Sequence, residues 1–254
     1  MGGGPGDPRA RGDVEKADVV DGVKERRRWV PPPAGSPPQP CPYQALCARF
    51  KDLLLLPEEY FAPEPRRCLC FCESCQQRRG EEGGRRGEGA HEPPPPLGWC
   101  RFSLRPRPRS EPSASWHKWP RAFGGSSAGG VRRSLDRGEL VPGPWSVLAP
   151  PDKAGGGPGG LRGAGASLPP RLLLSPALRY ASLPPLAPPA RFRDPSSQRA
   201  HGAQVAFEVC VRPGSFRAGP PSLRPPEGLD PTEIEWVTKE PGATVLCGLL
   251  VRVD

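Results

Sequence analysis

The chain has 254 residues, of which 40 are proline and 32 glycine, and a formal net charge of +9. A Pro/Gly share of that size without a periodic repeat excludes a chain folded throughout, and leaves room for one modest core. No apolar run approaches the roughly 18 to 20 residues that cross a bilayer and the N-terminus has no secretory apolar core, so a soluble intracellular protein of the cytoplasm or nucleus is expected, with no membrane partner.

In chain order, residues 1–40 mix Gly, Pro and charge without periodicity and read as a disordered tail. Within it, Pro31-Pro32-Pro33 and Ser36-Pro37-Pro38-Gln39-Pro40 have the composition of polyproline II ligands for SH3 or WW modules. A short helix is predicted from about Pro42 to Leu56, with Leu46, Phe50, Leu53 and Leu54 on one face and Pro57 as its stop. A cysteine-rich module covers 41–102, interrupted by a hydrophilic Gly/Arg/Glu insert, 76–96, that reads as disordered.

From 116 to 254 the pattern is that of an α+β domain: a small mixed sheet, few helices, and a disordered Gly/Pro-rich loop over 142–170. Ser126 or Ser127 is placed to cap a helix that carries Val131 and Leu135, and Gly138 to end it. Val205, Phe207, Val209 and Val211 alternate with Gln204, Ala206, Glu208 and Cys210, the pattern of a strand with one face on a core. The nearly continuous apolar run from Thr244 to Val253 predicts a central strand covered on both faces.

The nine cysteines are an odd number, and in a reducing compartment their clustering points to metal before disulfides. Cys72 and Cys75 form a Cys-x-x-Cys pair, the spacing at which two thiolates share one tetrahedral zinc. Cys70 joins them, and the fourth ligand comes from Cys100, Cys41, Cys47 or His91. Cys100 is preferred because Trp99 and Phe102 would pack beside it. The set Cys70, Cys72, Cys75 and Cys100 therefore predicts a closed, structural zinc site. The positive charge does not predict nucleic-acid binding: the arginines are scattered through linkers, and no aromatic residues interleave to stack bases.

Several motifs resemble a known family. Cys47-Ala48-Arg49-Phe50, Cys70-Phe71-Cys72-Glu73-Ser74-Cys75, Gly98-Trp99-Cys100-Arg101-Phe102, Trp116-His117, Ser175-Pro176-Ala177-Leu178-Arg179-Tyr180 and Glu233-Ile234-Glu235-Trp236 are similar to a domain that accompanies neuralized repeats in neuralized-like proteins. That domain in turn resembles the ADP-ribosyltransferase fold of the poly(ADP-ribose) polymerase type. The resemblance implies an NAD site in which a His-Gly-Thr triplet holds ribose and nicotinamide amide, a Tyr stacks on the nicotinamide and a Glu holds its ribose.

Carried onto this chain, Tyr180 matches the stacking residue and Glu233 or Glu235 the acidic one, while Gly125 and Ser126 match the end of the triplet. The His position falls on Gly124, which has no imidazole to bond a ribose hydroxyl. The resemblance therefore implies a degenerate relative that does not use NAD and works by binding a protein, as an adaptor in a ubiquitin-linked pathway. Two alternatives remain: an NAD-dependent ADP-ribosyltransferase using Tyr180 with Glu233 or Glu235, and a disordered Pro-rich scaffold.

Overall fold

Cys41 and Pro42 start the first helix, α1 (Pro42–Leu53): the Cys41 sulfur accepts the Gln44 N–H at 3.3 Å, and Pro42 occupies a first-turn position where no N–H is needed. The structure, a computed structural model, describes residues 1, 41–63, 68–82, 97–107, 116–142 and 171–254. The tail over 2–40, with its proline segments, the insert over 83–96 and the loop over 143–170 lie outside the described residues.

The buried stripe of α1 runs through Cys47, Phe50 and Lys51. Leu53, expected on that face, is exposed instead, because the stripe is one step earlier around the helix. Lys51 tolerates burial because its ammonium meets Asp52 at 2.9 Å and Glu58 at 3.4 Å and lies over the Phe61 ring.

Strand β1 (Cys68–Cys70) leads into α2 (Glu73–Glu82), which occupies the beginning of the stretch expected to be a disordered insert. Glu73 sits in its first turn and Arg79 near its end, the charge order that a helix dipole favours. Arg79 also lies over the Phe71 ring and donates to the Cys70 carbonyl, tying the helix back to β1. Strands β2 (Cys100–Ser103) and β3 (Arg121–Ser126) precede α3 (Ala128–Arg137), capped by Ser127 and ended by Gly138 at φ 69°, as expected. Then follow β4 (Leu172–Leu174), α4 (Leu178–Ala181), β5 (Ala190–Arg193), β6 (Ala200–Val211), β7 (Arg217–Gly219), β8 (Glu235–Thr238) and β9 (Thr244–Val253).

The fold is α+β. One sheet has the order β1-β2-β9-β6-β3, with β5 also paired to β6, and a second has the order β4-β8-β7. Every pairing among the described residues is antiparallel, where a mixed sheet was expected. Because β2 pairs with β9 from Cys100↔Val251 to Ser103↔Gly248, the stretches 41–102 and 116–254 share one sheet rather than forming separate modules.

The large sheet has two covered faces. On one, Phe102, Val205, Phe207, Val209, Leu249 and Val251 pack with Cys47 and Phe50 of α1 and Val131 and Leu135 of α3. On the other, Phe123, Ala206 and Leu250 pack with Leu178 and Ala181 of α4 and with Trp99. β9 is thus central and buried on both sides, as its apolar run predicts.

β6 is buried on both sides too, which corrects the expectation of a single core face. Its polar residues are satisfied inside. The Gln204 amide donates to the carbonyls of Ser182 and Ala187, and Glu208 meets Arg101 and Arg121, the latter at 2.9 Å.

Candidate functional site

Cys41, at the start of α1, lies against the end of β1 and the entry to α2, and cysteines from these three pieces converge. The sulfurs of Cys41, Cys70, Cys72 and Cys75 all lie within 4.8 Å of one another. Cys41 stands 3.6 Å from Cys70 and 3.8 Å from Cys72. Zinc–sulfur bonds of about 2.3 Å put the corners of a tetrahedron about 3.8 Å apart, so these spacings suit a four-thiolate metal site. Two of the four are buried and two half-buried, and no histidine, carboxylate or open position belongs to the set, the character of a structural site.

Each ligand is placed by local structure. Cys41 is the helix cap, Cys70 ends β1, and Cys72 and Cys75 bracket the entry to α2, where the Gln76 N–H bonds back to the Cys72 carbonyl at 2.9 Å. Arg78 donates to Cys75 at 3.1 Å, bringing positive charge to a thiolate-rich centre.

Cys100, expected as the fourth ligand, is outside this set, and Cys41 takes its place. Cys100 is the direct partner of Cys70 across the β1–β2 ladder, but its sulfur meets Cys47 and Cys68 as well as Cys70, while Cys41 stands close to both Cys70 and Cys72. Fully buried Cys100 meets the sulfurs of Cys47, Cys68 and Cys70, and these contacts push its pKa upward. A protonated Cys100 is a hydrogen-bond donor. Its thiol is the main influence that lowers Cys70 from the ordinary thiol value to about 5, against the opposing effect of burial. Cys41 is pushed up to about 12, chiefly by burial, and Cys72 also upward for the same reason. Cys70 is thus the sulfur most easily held as a thiolate, and metal binding would have to displace the protons of Cys41 and Cys72.

No family model matches this chain.

The residues expected to form an NAD site lie elsewhere in the fold, on β3, on α4 and at the start of β8. Tyr180, on α4, is fully buried. Its hydroxyl donates to Glu235 Oε2 at 2.7 Å and accepts the Leu223 N–H at 3.1 Å. Burial first, and the Glu235 carboxylate second, raise its pKa. Glu235 also accepts the Ser222 N–H at 2.8 Å and the Ser222 hydroxyl at 2.6 Å. Ser222 is the member of this network that no sequence pattern marks. Glu233 is exposed, and its carbonyl accepts the Trp236 indole N–H.

Gly125 lies beside α4: a Cβ there would stand 2.5 Å from the Ala181 carbonyl oxygen and 2.6 Å from the Leu186 backbone. A Cβ on Gly124 would stand 2.1 Å from Leu140 Cδ2 and 3.1 Å from Leu174 Cδ2. Ser126 is buried and donates to the Ser127 carbonyl at 3.1 Å. The structure therefore brings Tyr180 and Glu235 together, leaves Glu233 apart, and fills the space over Gly124 and Gly125 with protein. No helix among the described residues is long and apolar enough to cross a membrane.

Proposed function

We propose that this domain is a zinc-stabilised, non-catalytic relative of the ADP-ribosyltransferase fold that works by binding a protein partner. The observation that carries this reading is the closed Tyr180–Glu235–Ser222 network. A tyrosine that is to stack on nicotinamide needs an open ring face, and a glutamate that is to hold a ribose needs a free oxygen. Here the ring is buried and the carboxylate accepts three hydrogen bonds from the protein itself. The backbone of 181–186 over Gly125 occupies the place where a nicotinamide amide would approach.

Zinc is supported by the four-thiolate set and its tetrahedral spacing. Around it, Leu69 on the edge strand β1 and Leu97 before β2 are exposed at 41 % and 65 %, apolar surface of the kind a partner covers. The resemblance to neuralized-like proteins directs the search for that partner to ubiquitin-linked assemblies in the cytoplasm or nucleus.

The test is NAD itself. Millimolar NAD is expected to leave the melting temperature of the purified chain unchanged, since a ligand that bound the native state would raise it. NAD hydrolysis and self-modification are expected to be absent. NAD-dependent stabilisation or modification that Glu235→Gln abolishes would overturn the reading and establish a transferase.

A further inference from the structure

Two cysteines stand apart from the metal cluster, on the two central strands of the sheet. Cys210 of β6 and Cys247 of β9 have their sulfurs 3.1 Å apart, and both are buried. The ladder between these strands shifts register between Glu208 and Val209: Glu208 pairs with Gly248, and Val209 with Leu246. Cys247 is therefore the extra residue of a β-bulge, free of a direct Cα partner, and bulges of this kind re-aim a side chain. It is aimed at Cys210, whose own partner is Val245, two residues back on the same face.

The surroundings distinguish the two thiols. Arg121 stands directly across the β3–β6 ladder from Cys210. The contact with Cys247 lowers the Cys210 pKa, burial opposes it, Arg121 adds to the lowering and Glu208 works against it, while Cys247 is raised by the same contact. A thiol made more acidic than its neighbour, in contact with it, is an arrangement that thiol oxidation uses. Trp116 and Trp119, both half-buried, pack against the pair. Approach to bonding distance, about 2.05 Å, requires only about 1 Å of movement, at a residue the bulge has already released from the ladder.

We propose that Cys210 and Cys247 are a reversible oxidation site that closes to a cross-strand disulfide. With a hydroperoxide as oxidant, the Cys210 thiolate attacks the terminal oxygen, the O–O bond breaks, and the leaving alkoxide or hydroxide takes up a proton. The resulting Cys210 sulfenic acid is attacked by Cys247 as it loses its proton; the S–S bond forms, the S–O bond breaks, and water leaves. Two thiols lose two electrons, and the hydroperoxide gains them. A dithiol reductant reverses the reaction by exchange. The proposal is independent of the metal cluster and of the protein's partner.

The experiment uses the full chain, fully reduced, treated with stoichiometric hydrogen peroxide, then alkylated in denaturant and mapped without reduction. Expected is a linked peptide joining Cys210 to Cys247, lost on treatment with a dithiol. In chain loaded with stoichiometric zinc, which shields the cluster sulfurs, it should appear while Cys41, Cys70, Cys72 and Cys75 are still alkylated as free thiols. Fluorescence of Trp116 and Trp119 should fall in step, because a disulfide beside an indole quenches it, and Cys210→Ala and Cys247→Ala should each remove that response. The map of the natural sequence decides the matter even if a variant fails to fold. Recovery of Cys210 and Cys247 as free thiols under conditions that oxidise the cluster cysteines, or linkage of either to a cluster cysteine, overturns the proposal.

Discussion

Tyr180 and Glu235, far apart in sequence, meet in the interior with the phenol donating to the carboxylate at 2.7 Å. Tyr180→Phe leaves Glu235 with Ser222 alone and the Leu223 N–H without its acceptor. The expected loss is about 1–3 kcal/mol, the cost of a buried polar group left short of a partner, measured by urea unfolding. A pH series adds a second check. The Tyr180 pKa is raised in the fold, so its contribution is fully present below the ordinary tyrosine value near 10 and is lost as pH rises beyond it. Tyr43 and Tyr60 are shifted the same way, so Tyr180→Phe should flatten the alkaline fall in stability without abolishing it.

The two adjacent glycines of β3 should respond differently to alanine. The methyl of Gly124→Ala meets the ends of the Leu140 and Leu174 side chains, which can turn away. That of Gly125→Ala meets backbone of Ala181 and Leu186, which cannot move without shifting α4. Gly125→Ala is expected to cost about 1–3 kcal/mol and Gly124→Ala less. Equal effects, measured as denaturation midpoints, would contradict the packing described.

Cys41 and Cys100 provide the sharpest separation within the metal cluster. Cys41→Ser removes a corner of the tetrahedron and should abolish stoichiometric zinc, read by elemental analysis of the purified chain. Cys100→Ala should retain about one zinc per chain, with affinity weaker by about 10–100-fold, because it removes only a donor to the Cys70 sulfur. Zinc loss from Cys100→Ala together with retention by Cys41→Ser would restore Cys100 as the ligand.

Asp194 ties α1 to the turn between β5 and β6. Its carboxylate accepts the hydroxyl of Ser197 at 2.6 Å and the Arg49 guanidinium at 2.6 Å, and bonds Ser196 as well. These contacts, Ser197 first, hold its pKa well below the ordinary carboxylate range. The stabilisation is therefore present at neutral pH and is lost as pH falls below about 4 toward the folded-state value. Asp194→Asn should lower the melting temperature at pH 7 and make it less sensitive to acid.

Local signals in the sequence were reliable where local physics decides. Ser127 and Gly138 bound α3 by satisfying their own helix ends, and the apolar run of β9 admits only a strand with two covered faces. β6 misleads for a nonlocal reason. Gln204 and Glu208 make it look half-solvated, yet Gln204 is satisfied by carbonyls at 182 and 187 and Glu208 by Arg101 of β2 and Arg121 of β3. The fourth member of the four-thiol cluster was hidden in the same way. Spacing identifies Cys72 and Cys75, but only the packing of Cys41, at the start of α1, against β1 and the entry to α2 brings it, and not Cys100, into the set.

The position of β9 has a consequence for how the protein is made. It lies between β2 and β6, yet it follows them both in the chain. While residues 244–253 are still in the ribosome, β2 and β6 each present an unfilled edge and an apolar face, with nothing to join them. Cys41, Cys70, Cys72 and Cys75 have all emerged long before, so the four-thiol cluster can form while the sheet is still open. In that interval the open edge of β6 is one that another strand could fill. A premature stop before residue 244 makes the open state permanent.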